Sequence, residues 1–522
     1  MEVTVNSRRS AVGSRSALIV FVVGGLLALA HAAPDVVKVE GGQLSGVSDN
    51  GVRVFKGIPF AAPPVGALRW KAPQPIVPWS GVRAADTFGA ECTQVPYPAG
   101  SPYASEARPI SEDCLYLNVW TAASAGEKRP VMVWIHGGAW TRGSGSTPTY
   151  DGTALAKRGV VVVTTNYRLG VFGFLAHPEL TAESPQHASG NYAILDHVAA
   201  MKWVQKNIAA FGGDPAKVTI FGESAGSWSV NVTQATPLAK GLFRAAIGES
   251  GGQFARVATL AEAEKAGVAL ASAVGADSLA ALRTVSAEKL NAVQAFRTGV
   301  NVDGYVLPQD VRSMFAAKQQ SNVPVMVGSN ANEWTTLSNP SQFPKTIDAY
   351  RKYVEAQFGD VNEIDAAYPV KSDADIKEAM LALGRDRTFT LEMRTWARLV
   401  TASGKSAYLY QFTHVPPSPR ATEWGAYHAS EISYVFGNLR GRNFSYTDVD
   451  RQLSDQMSQY WVNFATTGDP NGKGLPTWTR YDEANEPYLA LGDTVQMKQH
   501  LLKVQLDALE RARQQRRQTS QQ

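Results

Sequence analysis

A serine flanked by two glycines, each two residues away, stands near the middle of the chain in Gly222-Glu223-Ser224-Ala225-Gly226. It follows the apolar run of residues 218–221 and precedes a stretch that is compatible with a helix. A serine at such a strand-to-helix turn is lifted off the sheet, and the glycines leave room for the two backbones to approach. Because a serine hydroxyl is a poor nucleophile alone, this chemistry requires a base, an acid and oxyanion donors elsewhere.

Oxyanion donors are predicted where the apolar run of residues 131–135 ends, in His136-Gly137-Gly138-Ala139-Trp140. A glycine pair lets backbone N–H groups point into open space, where they can bind a developing negative charge. The N–H group of Ala225 is a further candidate donor. Taken without the serine motif, the same glycine pair is also typical of an ordinary turn that ends a strand.

Enzymes with this serine turn keep the chain order serine, acid, histidine. Three histidines fit that order, and the spacing leaves His414 and His428 equally good candidates, with His500 near the C-terminal tail the weakest. Glu333 follows the apolar run of residues 323–327 and is the candidate acid. Asp303 is its rival, although an Asp-Gly pair more often indicates a turn.

The elements that must position these residues alternate between strands and helices. Residues 36–60 alternate apolar and polar residues around two turns, which predicts small antiparallel strands. Continuous apolar runs predict strands buried on both faces at residues 131–135, 160–163, 218–221, 323–327 and 408–412. Helical spacing is present in residues 194–208, and residues 340–400 read as a helical excursion that covers the site. The pattern predicts a mostly parallel α/β sheet in one large domain.

The two ends of the chain differ from its body. Residues 1–32 have a basic start, an apolar run from Ala17 to Ala30 and an Ala-His-Ala cleavage site, which predicts an exported protein with a cleaved signal peptide rather than an uncleaved anchor. The tail, residues 503–522, is basic and polar, and we expect a frayed or solvated helix there. The chain has a net charge of +4, but the charges at its two ends leave the body close to neutral. A near-neutral body does not favour nucleic-acid binding.

Cys92 and Cys114 are the only two cysteines of the chain. An even count in an exported chain predicts a disulfide between them. Neither belongs to a Cys-x-x-Cys pair, and no histidine spacing indicates a metal, so we expect neither a metal nor another cofactor. Nothing in the sequence indicates an oligomeric state.

Several ordered motifs resemble those of the type-B carboxylesterase/lipase family and together extend from about residue 35 to 495. They are the serine motif with its helix (residues 221–230), residues 57–61, 111–120, 166–170, 428–438 and 460–471. The resemblance implies an α/β-hydrolase fold in residues 33–502. It also implies a catalytic triad of Ser224, Glu333 and His428.

The resemblance further implies an oxyanion hole of Gly138, Ala139 and Ala225, with Gly137 permitting the turn. Ser250 resembles a serine that hydrogen-bonds the triad acid in this family. Four charged residues resemble structural ion pairs of the family, and we assign them to stability: Arg69, Glu112, Arg168 and Asp196.

These features predict a serine carboxylesterase that acts through an acyl-enzyme on small or medium-sized esters, in the periplasm or outside the cell. After cleavage of the leader we expect no stable membrane association. Ala104 stands where cholinesterases have a tryptophan, which argues against a choline-type cation site. The alternatives are an acyltransferase or peptidase with the same triad, or a non-catalytic adhesion protein of the same fold.

Trp140 and Arg142 follow the oxyanion loop and are candidate substrate-binding residues. A guanidinium at this position could bind a carboxylate on the acyl group and favour esters of di- or polyacids. The plainer interpretation is a solvated or structurally paired arginine.

Overall fold

The computed structural model describes residues 36–519 apart from residues 125, 294, 360 and 440–443. The signal peptide predicted for residues 1–32 lies outside these described residues. Eleven strands form the main sheet, in the spatial order β11-β10-β9-β8-β7-β6-β4-β5-β3-β2-β1. In chain order they are β1 (Val47–Asp49), β2 (Val52–Pro59), β3 (Tyr116–Thr121), β4 (Arg129–Ile135), β5 (Val161–Thr165), β6 (Gly213–Glu223), β7 (Ala245–Glu249), β8 (Val325–Asn330), β9 (Ala407–Phe412), β10 (Pro487–Leu491) and β11 (Val495–Gln499).

The middle of this sheet is parallel and its edges are antiparallel. Strands β5, β4, β6, β7, β8, β9 and β10 pair in parallel with their neighbours. Strands β1, β2 and β3 on one side and β11 on the other join the sheet in antiparallel register. The predicted buried strands are present as β4, β5, β6, β8 and β9, which confirms the mostly parallel sheet.

Helices cover the sheet on both faces. The α-helices of the described residues are α1 (Thr153–Lys157), α2 (Gly170–Phe174), α3 (Pro178–Glu183), α4 (Tyr192–Asn207), α5 (Ala225–Ala235), α6 (Leu260–Ala273), α7 (Leu279–Thr284), α8 (Ala287–Asn291), α9 (Val311–Ala316), α10 (Ile347–Phe358), α11 (Val361–Ala367), α12 (Ile376–Arg385), α13 (Leu391–Ala402), α14 (Ala421–Trp424), α15 (Ile432–Val435), α16 (Asp448–Thr467) and α17 (Lys503–Thr519). In β4, Val133 belongs to the core that contains α4 and α5, whereas its neighbours Met132 and Trp134 belong to the core that contains α16. Both faces of the strand are therefore buried, as its continuous apolar run predicts.

Small strands surround the main sheet. Val36–Val39 pairs antiparallel with Gly42–Ser45, which also pairs with Val82–Ala84. A two-residue turn at Asn50 and Gly51, both with positive φ, joins β1 to β2. This backbone suits the twist of a tight hairpin, so the prediction of small N-terminal antiparallel strands is confirmed. Two further pairs are Glu91–Cys92 with Ile110–Ser111 and Ala258–Thr259 with Asn301–Val302.

Residues 340–400 are largely helical, as predicted, and comprise α10 to α13. A π-helical turn, Asp386–Thr390, joins α12 to α13. Such turns are frequent at functional sites because they redirect side chains within a continuous helix. Here the turn carries Phe389, whose ring centroid lies 4.8 Å from that of His428. The excursion therefore reaches one of the candidate bases.

The C-terminal segment differs from its prediction. Residues 503–519 form helix α17, which is not solvated all round: Leu506, Leu509 and Ala512 are buried. They pack with apolar residues of α10, α11 and α12 in one cluster. These apolar residues recur at helical spacing and form one narrow face of the helix. Because most other residues of the segment are charged or polar, its composition alone does not reveal this face. Within the described residues, no helix has the combination of length and apolarity that crossing a bilayer requires.

Candidate active site

Ser224 stands at the sharp turn between β6 and α5. Its φ of 56° lies in the left-handed region, where backbone strain is common at functional sites. A Cβ atom at Gly222 would lie 2.6 Å from the carbonyl oxygen of Ile135, and one at Gly226 would lie 2.0 Å from the same oxygen. Both glycines are therefore required because strand β4 passes directly beside the turn, which is the close approach expected from the motif.

His428 and Glu333 lie together, and both side chains are buried. The imidazole Nδ1 is 2.5 Å from Glu333 Oε2, and the backbone N–H of Asn330 donates to the other carboxylate oxygen at 2.7 Å. Asn330 ends β8, and Glu333 begins a short 3₁₀ turn after it. The acid is thereby fixed beside the end of a parallel strand, where functional side chains gather in such sheets.

The rival residues are engaged elsewhere. His414 lies between two carboxylates, with Nε2 2.8 Å from Asp450 and Nδ1 2.6 Å from Asp493. Asp303 accepts hydrogen bonds from backbone N–H groups of the turn that follows it. His500 is exposed near the start of α17. Of the alternatives that the sequence leaves open, only His428 is paired with Glu333.

The other nitrogen of His428 faces a residue that sequence reasoning missed. Nε2 lies 3.0 Å from Glu223 Oε1, and no hydrogen bond to Ser224 is formed by this imidazole among the described residues. A Cβ atom at Gly137 would lie 2.7 Å from Glu223 Oε2 and 3.1 Å from Ser224 Cβ, so the glutamate and the serine are immediate neighbours. The signal was present in the serine motif. Glu223 directly precedes Ser224, at a position where the Gly-x-Ser-x-Gly pattern specifies no residue type.

Four buried glutamates near the imidazole interact electrostatically: Glu223, Glu249, Glu333 and Glu431. Burial and the charges of the other three raise the pKa of Glu223 well above its usual value. Burial and the charges of Glu249 and Glu333 likewise raise the pKa of Glu431. Burial raises the pKa of Glu249 to about 8. Such burial favours the neutral form of Glu223, Glu249 and Glu431, because an uncompensated buried charge is costly.

The loop after β4 has an unusual backbone. Gly138, Ala139 and Trp140 all have positive φ, at 106°, 54° and 58°. A Cβ atom at Gly138 would lie 2.1 Å from the carbonyl oxygen of Arg142, so only glycine fits there. The backbone N–H groups of Gly138, Ala139 and Ala225 have no acceptor in the described part of the chain. They are available to a negatively charged oxygen of a ligand.

The structure adds detail to two predictions in this region. The tight turn relies on Gly138, while Gly137 is needed because Glu223 and Ser224 lie against it. Trp140 is only 3 % exposed, and its indole N–H donates to Ser229 at 2.8 Å. Its ring packs against those of Trp228 and Phe174. Trp140 therefore packs within the oxyanion loop, and its contact with the substrate stays a prediction.

Arg142 belongs to a row of side chains that reaches the imidazole. Its guanidinium lies 5.0 Å from the ring centroid of Tyr97, and that ring lies 5.6 Å from the ring of Tyr103. The Tyr103 ring in turn lies 6.2 Å from that of His428, and its hydroxyl is 2.6 Å from Thr336 Oγ1. Arg142 has no carboxylate partner among the residues that the structure describes.

A disulfide joins Cys92 to Cys114, as predicted. It closes the loop that carries Tyr97 and Tyr103. The loop is thus tied covalently at its base and by the hydroxyl of Tyr103 at its far side. Sequence reasoning predicted the bond but not that the loop carries two aromatic residues to the neighbourhood of His428.

Ser250 does not make the expected hydrogen bond. Its hydroxyl is buried and has no partner among the described residues, whereas the backbone N–H of Asn330 supports Glu333. Ser250 itself has a φ of 54° and follows β7 directly. The hydrogen bond expected from Ser250 to the acid is therefore not formed.

The four charged residues assigned to stability form two pairs that do not touch the candidate triad. Arg69 pairs with Glu112. Arg168 binds Asp196 in bidentate fashion, with distances of 2.9 and 2.7 Å. The described residues contain no group of three or more histidine, cysteine or acidic side chains arranged to hold a metal ion.

Comparison with known proteins identifies the family. A profile described as the carboxylesterase family matches residues 33–509. The fumonisin B1 esterase of Sphingopyxis macrogoltabida is 40 % identical over 482 residues, which cover 87 % of this chain and 86 % of that one. The para-nitrobenzyl esterase of Bacillus subtilis is 36 % identical over 488 residues, which cover 88 % and 95 % of the two chains.

Solved structures agree with these relatives. A carboxylesterase of Geobacillus stearothermophilus superposes with a TM-score of 0.81 at 35 % identity, and the match covers 91 % of this chain and all of that one. A structure of a para-nitrobenzyl esterase gives a TM-score of 0.79 at 33 % identity over 91 % of this chain and 99 % of the other. This chain belongs to the carboxylesterase family, has the α/β-hydrolase fold and is a serine hydrolase of carboxylic esters.

Proposed function

We propose that Ser224, His428 and Glu333 are the catalytic triad of this esterase. The observation that carries the proposal is the Glu333–His428 pair at 2.5 Å, buried beside the strained turn of Ser224. The carboxylate holds Nδ1 as the donor, which leaves Nε2 as the acceptor that a general base requires. Catalytic hydrogen bonds are often absent in a free enzyme and form with the substrate, so a shift of Nε2 from Glu223 to Ser224 is expected on binding.

The reaction then follows the acyl-enzyme route. His428 removes the proton from Ser224 while the serine oxygen attacks the ester carbonyl, and the carbonyl oxygen becomes negatively charged. The backbone N–H groups of Gly138, Ala139 and Ala225 bind this oxygen. His428 next gives the proton to the leaving alcohol, and a water molecule repeats the two steps on the acyl group bound to Ser224. Glu333 stabilises the imidazolium that forms in each half of the reaction.

A serine-directed phosphonate tests this proposal. The native protein should be labelled at a single residue, and Ser224→Ala should abolish both the label and the hydrolysis of a small neutral ester. Glu333→Gln should lower kcat by about 10⁴-fold, because the amide no longer selects the required imidazole tautomer. A folded native protein that resists the phosphonate would contradict the proposal. Product analysis in the presence of added alcohols or amines would reveal an acyltransferase.

The acyl group is the second part of the proposal. Arg142 is adjacent to the oxyanion loop, because the ideal Cβ position of Gly138 is 3.2 Å from its Cγ atom. Its guanidinium is held over Tyr97 without a carboxylate partner among the described residues, so it is free to bind an anion. We infer that it reads a carboxylate on the acyl side, which favours esters of di- or polyacids.

Paired substrates test this specificity. Monoethyl succinate and ethyl butyrate have acyl groups of similar size, and only the first carries a carboxylate. Arg142→Gln should lower kcat/KM about tenfold for the acidic ester and leave the neutral ester nearly unchanged, which is the effect of one charge-assisted hydrogen bond. Arg142→Lys serves as the matched variant that keeps the charge. Equal losses on both esters would contradict this role.

We also infer that the protein is exported to the periplasm or the medium. The leader of residues 1–32 and the disulfide of Cys92 and Cys114 support this, because disulfides persist mainly in oxidising compartments. N-terminal sequencing of the protein recovered from the periplasm and the medium tests it. The mature chain is expected to begin directly after Ala32, and recovery of the full-length chain in the cytoplasm alone would contradict export.

A further inference from the structure

The segment that follows β7 lies directly against the serine turn. The backbone N–H of Ser224 donates to the carbonyl of Glu249 at 2.8 Å. Two residues further on, a Cβ atom at Gly251 would lie 2.6 Å from the carbonyl oxygen of Ser224. Ser227, in the first turn of α5, donates its hydroxyl to the carbonyl of Gly251 at 2.5 Å. A displacement of this segment, residues 250–254, would therefore move the serine turn.

The far end of the segment is held by charged side chains. The backbone N–H of Phe254 donates to Glu392 Oε2 at 2.8 Å, and its carbonyl accepts from Arg517 at 3.0 Å. The other carboxylate oxygen of Glu392 is paired with Arg513. The backbone of Phe254 is thus connected to helix α17 in two ways. Its carbonyl is bound directly by Arg517, and its N–H is bound by Glu392, which is paired with Arg513.

The pair of Glu392 and Arg513 is built into the interior. The side chain of Glu392 is only 3 % exposed and that of Arg513 18 %. Removing one partner of a buried ion pair is strongly destabilising, so Arg513 helps to hold Glu392 in its place beside Phe254. Arg513 and Arg517 are four residues apart on one helix and therefore share a face.

The same helix provides its own controls. Arg511 is paired with Glu363, whose side chain lies on α11 far along the chain from the segment at 250–254. Arg511, Arg513 and Arg517 all follow residue 509, where the match to the family profile ends. Of the residues that hold Phe254, Glu392 lies within the matched range, whereas Arg513 and Arg517 lie beyond it.

We propose that Arg513 and Arg517 are positioning residues for catalysis: through Glu392 and Phe254 they hold residues 250–254 against the turn of Ser224. The inference rests on the proposed role of Ser224 as the nucleophile. The helix that the sequence presents as a basic tail is, on this account, part of the support of the active site. Its arginines act on the rate of attack and not on the affinity for the ester.

The test compares three variants of the full chain, Arg513→Gln, Arg517→Gln and Arg511→Gln. The first two should lower kcat and the rate of phosphonate labelling of Ser224 about five- to tenfold, because small displacements of a nucleophile are costly, while KM stays within about twofold. Arg511→Gln breaks a more exposed ion pair, so it should lose less melting temperature and keep the native kcat. Arg513→Lys, which retains the charge, should restore most of the rate.

The outcomes separate the two proposals. If Arg513→Gln and Arg517→Gln lower the melting temperature but keep the native kcat well below it, as Arg511→Gln is expected to do, helix α17 is purely structural and the positioning role is wrong. If KM rises and kcat does not fall, the helix acts on binding, which also contradicts the inference. If the native protein is not labelled at Ser224 at all, it is the proposed triad that fails.

Discussion

The Nε2 atom of His428 lies 3.0 Å from Glu223 Oε1, on the side of the imidazole where a general base meets its nucleophile. Burial and the neighbouring glutamates raise the pKa of Glu223 well above its usual value, which favours the neutral form of the carboxyl group that faces Nε2. A neutral carboxyl can donate its O–H to Nε2, while an ionised one would add a second negative charge beside the oxyanion hole. A protonated Glu223 would therefore suit both the resting imidazole and the later reaction.

Glu223→Gln tests whether the neutral form is the active one. A glutamine is close in shape to a protonated glutamate and cannot ionise, so kcat/KM for a neutral ester at pH 7 should change by less than about threefold. In the native enzyme, ionisation of Glu223 as the pH rises should lower the rate, and this decline should be weaker in the variant. A pH–rate profile of both proteins measures the difference. A loss of more than about a hundredfold at pH 7 would indicate that the ionised carboxylate is required.

Glu249 gives the protein a predictable pH dependence of stability. Its pKa rises from the ordinary 4.5 to about 8 in the folded state because the side chain is buried. Between these values the unfolded chain loses the proton and the folded one keeps it, so the free energy of unfolding falls as the pH rises. The slope is about 1.4 kcal/mol per pH unit for one such group, and the loss is complete above pH 8.

Glu249→Gln removes this contribution and keeps an oxygen acceptor for the indole N–H of Trp461, which lies 2.8 Å from Glu249. The variant should therefore lose less stability than the native protein between pH 5 and pH 8, as measured by urea unfolding at several pH values. Glu355→Gln is the control, because Glu355 is exposed on α10. Parallel curves for the native protein and Glu249→Gln would show that the buried carboxyl is not protonated.

The sequence is informative about the candidate site wherever the signal is local. The serine turn, the glycine loop and the buried strands are all properties of a few consecutive residues, and the structure has them where the pattern predicts. The choice between His414 and His428 is different. His414 is bound by Asp450 and Asp493, which are 36 and 79 residues further along the chain, so no local pattern could exclude it.

Two other features could not be predicted for the same physical reason. Glu223 belongs to the serine motif, but the motif does not show that its side chain lies beside His428. That contact depends on the packing of the end of β6 against the segment after residue 425. The buried face of α17 consists of a few apolar residues among many charged ones, and its role depends on partners such as Glu392 on α13. Long-range packing, and not local propensity, decides both.

Gly138→Ala should abolish most of the activity without unfolding the protein. The residue has a φ of 106°, and the new Cβ would meet the carbonyl oxygen of Arg142 at 2.1 Å, so the loop must move. Displacing one oxyanion donor costs about 10²- to 10³-fold in kcat. Gly241→Ala is a matched control, because Gly241 has a φ of 80° with no atom within 4 Å of its Cβ position. The Gly241→Ala variant should therefore lose only about 1 kcal/mol of stability, from the strained backbone and not from a clash, and should keep the native kcat.

The disulfide should stabilise the fold and also fix the loop that carries Tyr97 and Tyr103 beside the site. Replacing Cys92 and Cys114 with alanine frees a loop of 21 residues and should lower the free energy of unfolding by about 3 kcal/mol. Because the same loop carries Tyr97 and Tyr103, KM should rise by several fold while the chemical step of bound ester changes little. Tyr103→Phe separates the two effects, since it removes only the hydroxyl that contacts Thr336 at 2.6 Å.

This Tyr103→Phe variant should raise KM about two- to fivefold, which is the value of one hydrogen bond, and leave the global stability within about 1 kcal/mol of the native protein. Urea unfolding together with steady-state kinetics on one neutral ester measures both quantities for the two variants. A cysteine-free variant with native KM would show that the loop keeps its position without the disulfide. In that case the contact between Tyr103 and Thr336 would be sufficient to hold Tyr97 and Tyr103 near His428.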